Sequence, residues 1–264
     1  MTITRLQRRI LEAIRKNRSL ESYVAGGTVL NRTAFRQSDD IDIFQQDERQ
    51  VVAQAERDID TLKEGGFQVS VTVLQYSMAE AMIRDGGEET VVQWMDDTVV
   101  RFFPVVEDPV FGFRLHDADL AVNKVMAGAS RSEARDAVDL ARLHRDYLSL
   151  GHLVWAAAGK TVLSPDALAE HIVRNAMCQN GQAFAAVRTS QPFDPREVVE
   201  TLLKARDEAL ALAGRLPTET YGCLFLDRRG EPVAASAEMI EAGAVVPHPP
   251  RPYGAWPVFS VSPD

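Results

Sequence analysis

The sequence predicts an α+β protein: a mixed sheet with flanking helices over residues 1-115, followed by a mainly helical region over 116-264. Three observations predict it. Short apolar runs, one with clear period-two alternation, are interleaved with helical patterns up to Phe111–Asp117. From His116 onward the apolar spacing is helical, with helix starts at Ser164-Pro165 and Asp194-Pro195. The chain of 264 residues, 45% hydrophobic and 25% charged, is long enough to build a sizeable core in one large domain or two modest ones.

Each element follows from local pattern. Ile3, Leu6, Ile10, Leu11 and Ile14 recur at helical spacing and open the chain with an amphipathic helix. Tyr23–Ala25 is a short strand, broken by Gly26-Gly27, and Thr28–Phe35 starts a helix. Asp40–Phe44 is a second strand. Val51, Val52, Ala55, Ile59 and Leu62 mark the next helix, which Gly65-Gly66 ends. Phe67, Val69, Val71 and Val73 alternate with polar residues as a half-buried strand. Ser77-Met78-Ala79-Glu80 reads as a capping box opening a short helix. Thr90–Met95 and Val99–Phe103 read as a hairpin around Asp96-Asp97. Asp117–Ala127 and Glu133–Leu148 are helices joined by GASRS. Ser164 and Asp194 cap two more, and Gly214 closes the last. A hairpin over Tyr221–Ala235 turns at Arg229-Gly230, and the tail Pro247–Pro257 is extended. No internal repeat is present.

Composition excludes several classes. A net charge of −9, from 29 basic and 38 acidic residues, argues against nucleic-acid binding by the whole surface. Arg5, Arg8, Arg9, Arg15 and Lys16 on the first helix leave room for a local RNA contact; a solvated helix face is the equal alternative. Two cysteines, Cys178 and Cys223, make no disulfide framework, so a reduced, cytoplasmic protein is expected. No apolar run is long enough for a membrane span, and the first residues do not read as a secretory signal. The five histidines have no zinc spacing, and there is no GxSxG.

The chemistry concentrates in AGGTVLNRTAFRQSDDIDIF, residues 25–44. On a strand Asp40 and Asp42 point to one face while Ile41 and Ile43 point to the other. Neighbouring carboxylates repel unless a cation lies between them, and Mg²⁺ takes oxygen ligands and bridges carboxylates to substrate phosphates. Gly26-Gly27 lets the backbone approach a phosphate, the helix starting near Thr28 aims N–H groups at the same place, and the Thr28 hydroxyl offers another donor.

Gly27-Thr28, eleven residues, then Asp40-Ile41-Asp42 resembles the signature of the DNA polymerase β-like nucleotidyltransferase superfamily. AGGTVL…SDDIDIF resembles, more narrowly, the AbiEii/AbiGii toxin-type nucleotidyltransferases, which include the MenT toxins. A second stretch agrees: DLAVNK at 119–124, then RDAVDL at 135–140, is similar to that family's helix–loop–helix. The resemblance spans roughly Leu20–Tyr147. It implies a nucleotidyltransferase core domain over 1-115 and a helical C-terminal domain over 116-264. It implies that Asp40 and Asp42 hold Mg²⁺ and that Gly26, Gly27 and Thr28 hold a nucleoside triphosphate. It gives Lys124 to the triphosphate and Asp136 a catalytic or site-organising role. Asp139 shares a helix face with Asp136 and is read as orienting its neighbours or pairing with Arg135.

The implied reaction moves a nucleoside monophosphate to an acceptor hydroxyl. By resemblance the acceptor is the 3′ end of tRNA, the role that of a toxin, and a cognate antitoxin the protein partner. The acidic surface suits a small-molecule or protein hydroxyl equally well. One departure stands out. The superfamily adds a third carboxylate on a later strand, whereas VVRFF at 99–103 offers none and Asp96, Asp97 and Glu107 only lie nearby. Either Asp136 serves, or the chain is a catalytically silent nucleotide- or partner-binding relative.

Overall fold

The computed structural model of the chain describes residues 3–33 and 36–258. The chain forms two compact units. The first comprises Met1–Val99, Val105–Leu120 and Arg188–Gln191, and the second Val100–Pro104, Ala121–Val187 and Pro192–Asp264.

The first unit opens with α1 (Arg5–Ile14), whose N-terminus carries a reciprocal capping box between Thr4 and Gln7. Then come β1 (Ser22–Ala25), α2 (Gly26–Leu30), β2 (Asp40–Gln45), α3 (Val51–Glu64), β3 (Gln68–Gln75), β4 (Met78–Asp85) and β5 (Glu88–Asp96). After β6 (Val100–Arg101), which belongs to the second unit, β7 (Val106–Asp108) and β8 (Gly112–Arg114) complete the sheet. Its seven strands run in the order β3-β4-β5-β2-β1-β8-β7. β1 pairs antiparallel with β2, β2 parallel with β5, and β3, β4 and β5 form an antiparallel meander.

One sheet face is core. Ile41, Ile43, Val92, Trp94, Ala79, Ala81 and Ile83 are buried on it in lateral register. Ile10, Leu11, Ile14, Val51, Ala55, Ile59 and Leu62, from α1 and α3, are buried as well, the apolar stripes of two amphipathic helices. The alternation that buries Ile41 and Ile43 turns Asp40 and Asp42 to the opposite, partly exposed face. β3 lies at the sheet edge and is more exposed than its pattern predicts: Val71 is 46% and Leu74 47% exposed. Two of the basic groups on the N-terminal segment have local partners: Arg9 pairs with Asp85, and Arg15 Nη1 donates to the Pro109 carbonyl at 2.8 Å.

Under this sheet sits a buried charge. Asp58 on α3 accepts from Arg18 Nη2, from Asn17 Nδ2 at 2.8 Å, from Gln54 Nε2 at 3.3 Å and from Trp94 Nε1 at 2.7 Å. Both charged side chains are fully buried, and burial lowers the Arg18 pKa despite the attraction of Asp58.

Several sequence expectations are corrected. SMAE at 77–80 does not open a helix; Met78–Asp85 is a strand paired on both sides. Ala79, Ala81 and Ile83 alternate inward, and cross-strand burial outweighs the helix propensity of Ala, Met and Glu. The expected hairpin at Asp96-Asp97 is absent: β5 pairs with β4 and β2, whereas β6 pairs with Arg251–Pro252. The helix expected from Thr28 to Phe35 begins at Gly26 and ends at Leu30; residues 34 and 35 lie outside the described residues. GASRS is not the joint expected, because Gly128–Ser130 continue the first helix.

The second unit is built mainly from helices. α4 (Asp117–Ser130) begins in the first unit and continues into the second. It is followed by α5 (Ala134–Asp146), α6 (Leu150–Ala157), α7 (Pro165–Met177), α8 (Gly181–Ala185) and α9 (Pro195–Ala213). Ser164 and Asp194 cap α7 and α9 as expected, accepting from Ala167 N and Arg196 N. Beyond α9 lie β9 (Leu224–Leu226), α10 (Ala237–Glu241), β10 (Val246–His248) and β11 (Arg251–Pro252). The turn at Asp227–Glu231 forms, but the ladder partner of β9 is β10; Pro232 contributes only an isolated bridge to Leu226. The tail is a strap: β11 pairs with β6, and Ala255 N donates to Phe102 O at 3.0 Å.

A small core of Trp155, Leu216, Phe225, Ala235 and Val245 packs beside His152. His152 Nδ1 lies 2.6 Å from Ser149 Oγ, and its Nε2 accepts from Ala235 N at 2.8 Å. Burial lowers its pKa, against a smaller opposing contribution from the Ala235 backbone.

Two outcomes follow. Asp58→Ala leaves a buried arginine unpaired and lowers unfolding free energy by about 3–5 kcal/mol, read by urea denaturation. For His152 the unfolded chain binds a proton below about pH 6.5 that the folded imidazole refuses. Stability therefore falls as pH drops through that value, and His152→Gln flattens the fall in melting temperature between pH 7.5 and 5.5.

Candidate active site

Backbone geometry assembles one group of the predicted residues in the first unit. Ala25, the last residue of β1, pairs with Asp42 across the ladder, so the turn that follows lies against β2. Gly26 has φ +67°, and a β-carbon there would collide with the Asp42 carboxylate. A β-carbon on Gly27 would lie 2.7 Å from Ser38 Oγ and 2.8 Å from Arg36 Nη2. Gly26 is therefore required by both its φ and the approach of Asp42, whereas a side chain at Gly27 would displace the ends of Ser38 and Arg36.

Hydroxyls tie the turn to the strand. Thr28 Oγ1 donates its one proton to the Asp40 carbonyl, so this hydroxyl joins α2 to β2 and is not the spare phosphate donor that the sequence suggested. Ser38 Oγ donates to Asp40 Oδ1 at 2.9 Å and orients that carboxylate. Arg36 is almost wholly buried, with Nη1 donating to Gln37 O at 3.0 Å. Gly26, Gly27, Thr28, Asp40 and Asp42 are thus brought together, as the sequence predicted. Arg36 and Ser38 join them, and reading the DxD pattern alone passed over both. α2 is only five residues long, so the turn's own N–H groups matter more than a helix dipole.

Register shows what neighbours the pair. Asp42 lies opposite Gln93 on β5, and Gln93 lies opposite Glu80 on β4. All three side chains share one face. Gln93 Nε2 donates to Glu80 Oε2 at 2.8 Å and Thr72 Oγ1 to Glu80 Oε1 at 2.8 Å. These two bonds, Gln93 first, hold the Glu80 carboxyl below its ordinary range. Glu80 escaped the sequence reading because SMAE resembles a capping box; the alternation of Ala79, Ala81 and Ile83 was the signal available.

The donor set suits a substrate-completed metal. Among the described residues no group of three or more His, Cys, Asp and Glu is gathered to hold an ion. Two carboxylates on one open face match Mg²⁺, which keeps waters and takes phosphate oxygens for the rest of its shell.

The other predicted residues meet in the second unit. Lys124 on α4 places Nζ 2.8 Å from Asp136 Oδ1 and 3.1 Å from Asp139 Oδ2, both on α5. Arg131 Nε reaches Asp136 Oδ2 at 2.8 Å. Two cations thus face two carboxylates, with Lys124 7% and each aspartate 1% exposed. Burial pushes the Asp136 pKa up, but Lys124 and Arg131 together outweigh it and hold the carboxyl below its usual range. Asp139 pairs with Lys124 directly. Gly128 allows the helices to meet: a β-carbon there would lie 2.5 Å from Leu140 Cδ1.

No protein-family model matches the chain, and no curated protein is found similar to it. Solved structures do match, and the class they define is one of fold: the chain shares its fold with a solved nucleotidyltransferase toxin. One of them is MenT4, a nucleotidyltransferase toxin from Mycobacterium tuberculosis H37Rv. The TM-score is 0.55 at 15% identity, over 78% of this chain and 82% of that one. At that identity the shared property is the fold.

The glycine constraints separate experimentally. Gly66, at φ +85° with open space around it, becomes alanine at a cost of about 1 kcal/mol. Gly26→Ala adds the collision with Asp42 and costs more than about 2 kcal/mol, compared by thermal unfolding.

Proposed function

We propose that this chain is a Mg²⁺-dependent nucleotidyltransferase. It moves a nucleoside monophosphate from a nucleoside triphosphate to an acceptor hydroxyl. The observation that carries the reading is the Asp42 carboxylate lying against the Gly26 backbone, with Asp40 on the same open sheet face. That arrangement supports a metal-binding role for the pair, beside a turn suited to phosphate.

Asp40 and Asp42 would hold the ion, and Ser38 keeps Asp40 oriented toward it. When bound, Mg²⁺ would neutralise charge on the phosphates and on the departing pyrophosphate. Gly26, Gly27 and Thr28 cradle the β- and γ-phosphates through backbone N–H groups. The acceptor hydroxyl oxygen attacks the α-phosphorus in line and its proton passes to solvent; the new P–O bond forms as the bond from the α-phosphorus to the bridging oxygen breaks, and pyrophosphate leaves. Lys124 is assigned to triphosphate charge and Asp136 to the acidic set that holds that lysine. The fold shared with MenT4, a nucleotidyltransferase toxin, supports a toxin role; the tRNA 3′ end as acceptor and an antitoxin as partner are carried by the sequence resemblance of AGGTVL…SDDIDIF alone. A cytoplasmic setting agrees with both; among the described residues no helix is long and apolar enough to cross a membrane.

A second reading has its own observation. The position on β5 opposite Asp42 is Gln93, an amide where a carboxylate would assist metal binding. A silent domain that binds nucleotide without transfer fits that residue.

Incubation with each α-³²P-labelled nucleoside triphosphate, followed by separation of RNA, protein and small-molecule fractions, tests both. Label in the RNA fraction, abolished by Asp42→Ala, is expected. Calorimetric binding with no label in any fraction selects the silent domain. Label confined to another fraction moves the acceptor to that class.

A further inference from the structure

Between α8 and α9 the chain makes an excursion that the sequence does not signal. Arg188–Gln191 belongs to the first unit, whereas the residues on either side of it belong to the second. The segment is held against the stretch that leads into β2. Gln37 N donates to the Arg188 carbonyl at 2.9 Å. Arg36 and Thr189 form an isolated antiparallel bridge. The Arg188 guanidinium pairs with Asp39, and each side chain is 57% exposed.

Arg36, Gln37 and Asp39 are thus each bound to the returning segment. Ser38, between them, orients Asp40. The stretch matters electrostatically as well. Asp39, Asp40 and Asp42 put three carboxylates within four positions, and such charges repel. Arg188 offsets the first of the three. Pairing at Asp39 also restrains the stretch 36–39 that leads into β2, and so steadies Asp40 at the first position of the strand.

We propose that Arg188 is a positioning residue for the carboxylate pair. Through Asp39 and the Gln37 backbone N–H it fixes the stretch that carries Ser38 and leads into Asp40 at the start of β2. This presets Asp40 and Asp42 for a metal–nucleotide complex. The inference rests on the site reading given under Proposed function.

Its test uses the full chain and Mn²⁺ with each α,β-methylene nucleoside triphosphate, which cannot transfer. Free Mn²⁺ is read by electron spin resonance, and amide exchange is followed at Gln37 and Ser38. Arg188→Glu replaces an attraction with a repulsion. It weakens the Mn²⁺–nucleotide complex about threefold to tenfold, less at high salt, and speeds exchange at Gln37. Melting temperature changes little, since both groups are exposed. Arg188→Gln shows a smaller effect in the same direction and replaces the first variant should that one fold poorly. The exchanged pair Asp39→Arg with Arg188→Glu restores binding to within about twofold, a rescue that a merely structural loss of packing would not give.

Binding lost in Asp42→Ala but equal in wild type and Arg188→Glu overturns the inference alone. Failure of the exchanged pair to rescue overturns it too. Equal binding by wild type and Asp42→Ala removes the site reading, and the inference with it.

Discussion

The Asp42 carboxylate rests on the backbone of Gly26, and at that point no side chain larger than hydrogen fits between turn and strand. This contact joins the two short segments that carry the chemistry. It exists because β1 runs antiparallel to β2 and ends opposite Asp42, so the chain leaving β1 turns directly over the strand. The positive φ at Gly26 lets the backbone bend there, and the missing β-carbon leaves room for the carboxylate. Thr28 then fastens the turn to the start of β2 and Ser38 fastens Asp40.

The sheet supplies the rigidity behind that contact. Its buried face has no polar groups at Ile41 and Ile43, so a shift of register by one residue would bury the aspartates and expose the isoleucines. The energetic penalty of such a slip keeps the carboxylates on the open face. Glu80 and Gln93 extend a polar row away from Asp42, bonded to each other and to Thr72.

Two clusters of buried charge are neutralised locally. Asp58 is held by Arg18 and three neutral donors beneath the sheet. Lys124 and Arg131 face Asp136 and Asp139 between α4 and α5. A buried charge without a partner costs several kcal/mol, so each cluster forms as a complete set. The difference lies in exposure. Arg18 and Asp58 are sealed, whereas Arg131 remains about half exposed and gives the second cluster an edge on solvent.

Local order was legible in the sequence. Period-two alternation specified β2, 3.6-residue periodicity specified α1 and α3, and Ser164 and Asp194 announced their helices, because each signal lies within a few residues. The grouping of Gly26, Gly27, Thr28, Asp40 and Asp42 was legible too, since a turn and an adjacent strand are close in sequence. Tertiary structure decided the rest. SMAE became a strand through pairing with β3 and β5, and β6 found its partner in Arg251–Pro252, far down the chain. The same holds for Glu80 in the row with Asp42 and for Arg188 beside Asp39. Such contacts are set by strand register and by where a distant segment returns, and short-range periodicity carries no information about either.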